Sequence, residues 1–123
     1  MLQSASMTNA ASIRIGALTY HVRRCSDVDF ERLLLDRGAD AATVQNIKSF
    51  VSYDEQLIVV RERFSAEKQR ELIIHELVHA AIEDSGHVQD DRTEALVSAI
   101  APRLSALLQE LPELLPKLSI QGS

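Results

Sequence analysis

The stretch from Leu72 to Ile82 constrains this chain more than any other. It reads Leu-Ile-Ile-His75-Glu76-Leu-Val-His79-Ala-Ala-Ile, a His-Glu-x-x-His pattern in otherwise apolar surroundings. On a helix, residues four apart lie on one face, one turn apart. His75 and His79 therefore aim two imidazoles at one point. Two imidazoles and one further ligand make a catalytic zinc site with a position left for water, and Glu76 can take a proton from that water. A helix that is apolar on every side is a buried one. Imidazoles and a carboxylate inside it need partners, because unpaired buried charge is costly. A metal ion is one such partner. The bland alternative is a pair of histidines on an amphipathic helix that merely packs.

A third ligand is required, and His87, Asp90, Asp91 and Glu94 are the candidates. His87 follows His79 by eight residues, which does not match the spacing of the extended motif with a third histidine. It also reads as a solvated loop histidine. Glu94 is the stronger candidate. It precedes Val97 by three positions and Ala101 by seven, on the apolar stripe Val97, Ala101, Leu104, Leu108 of a following helix. The same residue fits a capping box, Asp91-x-x-Glu94, in which it would only reach back to the Asp91 N–H.

The elements around the motif follow in order. Ile13, Ile15, Leu18, Tyr20 and Val22 alternate on both sides of Gly16-Ala17, a hairpin signal. Ser26 or Asp27 caps a helix to about Arg37, and Gly38 ends it. Residues 39–46 are a loop or a short helix capped by Asp40. Ile47 to Tyr53 and Gln56 to Phe64 form a second hairpin about Asp54-Glu55, its second arm carrying Leu57-Ile58-Val59-Val60. Ser65 caps the motif helix, Ala66 to about Asp84. The last long helix runs from Asp91 or Arg92 towards Leu108 or Glu110, bent or divided at Pro102. Pro112 and Pro116 bracket a short segment, 113–120. The expected architecture is α+β: a small antiparallel sheet of two hairpins, with the helices on one side. Residues 1–12 are a floppy tail and 13–120 a single domain.

Composition bounds the function. The chain has 123 residues, 46% of them apolar and 25% charged, with net charge −5. That suits one globular domain and argues against a nucleic-acid-binding surface, which needs a basic patch. No apolar run reaches membrane length, and the first twelve residues lack the features of a secretory signal, so a cytoplasmic protein is expected. The lone Cys25 excludes an intramolecular disulfide and reads as a half-buried small residue. Tyr20 and Tyr53 can donate to a developing oxyanion but read first as strand core. His21, opposite Tyr20 on the pleat, reads as solvated. The leucines from Leu104 to Leu118 read as cover for the core, with room for a partner or a homodimer.

On Ile74 to Ala80, with Glu94-Ala95 downstream, the chain resembles the ImmA/IrrE family of zinc metallopeptidases. It looks most like the short forms of phages and mobile elements, which lack a DNA-binding helix-turn-helix. It departs from them at Val78, where a small residue is frequent. The resemblance implies a gluzincin: His75, His79 and Glu94 as zinc ligands, Glu76 as general base, and a cytoplasmic protein substrate such as a transcriptional repressor. Two functions are therefore expected to compete. One is a zinc-dependent peptidase. The other is a non-catalytic, metal-stabilised module that binds a regulator or a second copy, through a closed site using His87 as well.

Overall fold

A computed structural model of the chain describes residues 10–118. Strands β1 (Ala10–Ile15) and β2 (Leu18–Cys25) lead into helix α1 (Asp27–Asp36) and a 3-10 turn (Val44–Asn46). Strands β3 (Ser49–Ser52) and β4 (Leu57–Arg61) follow, then helices α2 (Ala66–Asp84) and α3 (Asp91–Lys117). The α+β class is as expected. Strand β1 begins at Ala10, which pairs with Arg23, so the first strand takes in three residues expected to be tail. The rest of that tail, 1–9, lies outside the described residues.

Both hairpins form. Ile15 faces Leu18 across Gly16-Ala17, with Gly16 at φ +60°, and Ser52 faces Leu57 in the second. The sheet is nevertheless mixed, not antiparallel. Its order is β1-β2-β4-β3, and β2 runs parallel to β4, with Val22 beside Ile58. The cause is α1. It lies between β2 and the second hairpin and returns the chain, so that β4 slots in beside β2.

Strand β4 also corrects the expected layering. Leu57 to Arg61 are all buried, the signature of a strand covered on both faces. Ile58 packs with Tyr20 and Ala80 on one face, while Leu57 and Val59 pack with Phe30, Leu34 and Val44 on the other. Helix α1 therefore covers one face and α2 the other. Arg61 closes the α1 side. Its guanidinium donates to Ile47 O (2.7 Å), Val44 O (2.7 Å), Asp27 Oδ1 (2.9 Å) and Glu31 Oε2 (3.0 Å) and lies over the Phe30 ring. Cys25 is buried in the same cluster, and burial pushes its thiol pKa up.

The termini of α2 match the expected ones. Ser65 Oγ accepts from Lys68 N at 3.1 Å, and buried Gln69 donates to Glu62 O and Phe64 O. At its far end the Asp84 carboxylate lies where a side chain on Gly16 would go. Helix α3 departs from expectation: it continues through Pro102, Pro112 and Pro116 to Lys117. Proline's fixed φ is that of a helix, and all three sit at exposed positions, where the carbonyls they leave without a partner can bond water. Among the described residues, no helix is long and apolar enough to cross a membrane.

Candidate metal centre

The middle of α2 lies between the sheet and α3. Leu72, Ile74, Glu76, His79 and Ala80 are buried and the intervening residues are half-buried, so the helix is covered nearly all round before emerging at Ala81. His75 and His79 lie one turn apart with ring centroids 4.9 Å from each other and planes tilted by 59°.

Glu94 meets them from the first turn of α3. Its Oε1 lies 2.8 Å from His79 Nε2 and its Oε2 lies 3.3 Å from His75 Nε2. Local capping makes this possible. The α3 N-cap is Asp90, boxed with Thr93, so Glu94 is not used as a cap and its carboxylate is free to cross to α2. Its side chain is 57% exposed, so Glu94 sits at the rim of the buried stripe and not within it. Ser98 Oγ donates to Oε2 at 3.0 Å. Burial pushes the Glu94 carboxyl up, but Ser98, His79 and the nearby imidazoles outweigh it and hold the pKa below its usual value.

The remaining candidates lie elsewhere. Asp90 is the cap and Asp91 is exposed in the first turn. His87 is exposed and bonds Ser85 Oγ at 2.8 Å. Tyr20 is core, and burial raises its pKa. His21 is exposed beside Ser12. Tyr53 stands behind His79 and does not line the cleft that His75, Glu76 and Glu94 share.

Gln89 links Tyr53 to His79, and nothing in the sequence singled it out. Its amide nitrogen lies 3.0 Å from Tyr53 Oη, 3.3 Å from His79 O and 3.2 Å from Glu83 Oε1. Its Oε1 therefore faces His79 Nδ1, at 2.6 Å, and that nitrogen carries the hydrogen. Nε2 is then the lone-pair nitrogen, and it points at a carboxylate oxygen. Two such atoms 2.8 Å apart repel unless a cation, a proton or a metal ion, accompanies them.

The donor set fits a metal ion. One atom from each of His75, His79 and Glu94 lies within 4.8 Å of the others. Ligand bonds of about 2.0–2.2 Å in a tetrahedron place ligand atoms roughly 3.3 Å apart, so small side-chain shifts suffice. Among the described residues the group comprises these three, one ligand short of a closed tetrahedral site.

Glu76 is on the same helix but is held apart. It is buried, and Ser49 Oγ donates to its Oε2 at 2.6 Å. Burial raises its pKa, outweighing the Ser49 bond and the neighbouring imidazoles. His75, Glu76 and Glu94 line one cleft of about 370 Å³, whose opposite wall is the chain from Asn46 to Ser49 leading into β3. Lys68 and Glu71 also line it. Strand β3 is a sheet edge, and its first residue, Ser49, lines this cleft.

No protein-family model, curated protein or solved structure matches this chain.

Proposed function

We propose that the protein is a zinc-dependent peptidase of the gluzincin kind, akin to the short ImmA/IrrE peptidases, acting on a protein substrate such as a transcriptional regulator. The observation that carries this reading is the convergence of His75, His79 and Glu94 on one point of a cleft that also holds the buried Glu76.

His75, His79 and Glu94 would hold a zinc ion, which would supply Lewis-acid chemistry for activating water and a carbonyl. The chain does the rest. Gln89 fixes the His79 tautomer, so that Nε2 would be the atom offered to the metal. Glu76 accepts a proton on its carboxylate and returns it to the leaving amine. Burial favours that role by keeping the group's proton affinity above that of a solvated carboxylate. Ser49 holds Oε2, which orients the carboxylate and leaves Oε1 to exchange the proton. An extended peptide adds to the free edge of β3 by strand pairing, which delivers its backbone to the cleft.

The test combines metal analysis with digestion of a quenched-fluorescent peptide library. The native chain takes up one zinc and cleaves. His79→Ala loses the zinc and the cleavage together. A native chain that binds zinc tightly and cleaves no peptide would overturn the reading.

A further inference from the structure

Beyond Ser105, every residue of α3 from Ala106 to Leu118 is exposed, with Ala106, Gln109 and Glu110 still lining a cavity with Glu67 and Glu71 of α2. Seven leucines occupy this stretch and the turn before it, at 104, 107, 108, 111, 114, 115 and 118. Counted from Leu111, they stand three, four and seven residues away in both directions. At about 100° per residue these are the segment's only positions within about 60° of Leu111. Each is leucine, and every polar residue and proline falls outside the stripe. Six of the seven are between 42% and 63% exposed. That leaves on the order of 500 Å² of contiguous leucine surface, the size that marks an interaction site.

We infer that this face docks a second copy of the chain, with the two α3 helices antiparallel about a two-fold axis at Leu111. A two-fold interface must map onto itself when the helix direction is reversed, and this leucine pattern does. It sets Leu111 on its counterpart, Leu104 on the partner's Leu118, Leu107 on the partner's Leu115 and Leu108 on the partner's Leu114. A bilayer fits this face less well: the polar side of the segment carries Glu110 and Glu113 against Lys117 alone, unlike the basic face of surface-lying helices. Pairing removes on the order of 1,000 Å² of leucine surface in total, which reaches the range of specific interfaces once flanking residues are added. It also supports a segment that is exposed throughout and contains Pro112 and Pro116.

Sedimentation velocity on the full chain tests this. The native protein sediments as a dimer, and Leu111→Arg as a monomer that keeps the near-UV circular dichroism of buried Tyr20. Leu115→Gln, a milder change on the same face, weakens the dimer by about tenfold or more. For orientation, Leu104→Cys and Leu118→Cys chains, mixed and oxidised, cross-link to each other, and Leu118→Cys alone does not. A native chain that stays monomeric at high micromolar concentration overturns the proposal, as does a dimer that survives Leu111→Arg. Monomeric binding to phosphatidylcholine–phosphatidylglycerol vesicles that Leu111→Arg abolishes would assign the face to membrane instead. Cross-linking of Leu118→Cys to itself would overturn the antiparallel arrangement.

Discussion

Gln89 Oε1 accepts the Nδ1–H of His79 at 2.6 Å, from a loop that enters the site behind the imidazole. The other end of the same amide is tied to Tyr53, Glu83 and the His79 carbonyl. A ligating histidine depends on such a partner for its ring orientation and tautomer. Gln89→Ala is therefore expected to keep the fold and weaken zinc binding by about 10–100-fold. Competition against a chromophoric chelator measures this. Unchanged affinity would show that His79 needs no such support.

Ser49 acts on the other carboxylate. Its hydroxyl donates to Glu76 Oε2 from across the cleft. A hydrogen bond to a charged group contributes about 1.5–3 kcal/mol, so Ser49→Ala is expected to lower kcat by roughly tenfold or more, with zinc affinity and KM little changed. Steady-state kinetics on a cleaved library peptide separates these. A rise in KM alone would place Ser49 in substrate binding.

Arg61 holds the opposite face. Its side chain is 1% exposed and bridges α1, the 3-10 turn and the entry to β3. Arg61→Ala strands buried acceptors and is expected to cost about 3–5 kcal/mol in urea unfolding. Arg61→Lys recovers only part of this, because an ammonium cannot reproduce the guanidinium fork. A loss under about 1 kcal/mol would mean that the cluster is not coupled to the fold.

Acid should weaken the Arg61 cluster and the separate Arg37–Glu55 pair. The Arg61 hydrogen bond, aided by Arg63, holds the Asp27 carboxyl below its usual range, and Arg37 does the same for Glu55. A depressed native pKa gives stability that is present above the unfolded value, near about 4, and is lost as pH falls through the folded one. Unfolding free energy should therefore decline below about pH 4, and Asp27→Asn should flatten part of that decline. An identical acid profile in the variant would remove Asp27 from the account.

Much of this was legible in the sequence, and the misses share a cause. Local signals placed Ser65 as a cap, the ends of α2, both hairpins and the stop at Gly38, because each depends on neighbours along the chain. The parallel pairing of β2 with β4 and the cover on both faces of β4 are set by tertiary packing. The unbroken run Leu57-Ile58-Val59-Val60 was the available hint. In the site, the His75–His79 pair follows from helical spacing alone. Glu94 was singled out, yet two expectations about its setting were displaced. Asp90, one residue upstream of the expected cap, takes that role, and Glu94 is at the rim of the stripe. Gln89 and Ser49 carry no pattern: each is an ordinary polar residue until the fold brings it to its partner. The leucines from Leu104 on read as core cover, but every residue of α3 after Ser105 is exposed, so those beyond it do not serve as that.

The most direct test of the central claim is a paired measurement on Glu76→Gln: zinc content and the rate of peptide cleavage. The substituted amide can neither take nor return a proton, and the change leaves His75, His79 and Glu94 in place. The account predicts one zinc per chain, as in the native protein, and a rate lower by about 10²–10⁴-fold. Cleavage at the native rate with zinc retained would contradict it, since the buried carboxylate beside the metal ligands would then have no part in the chemistry.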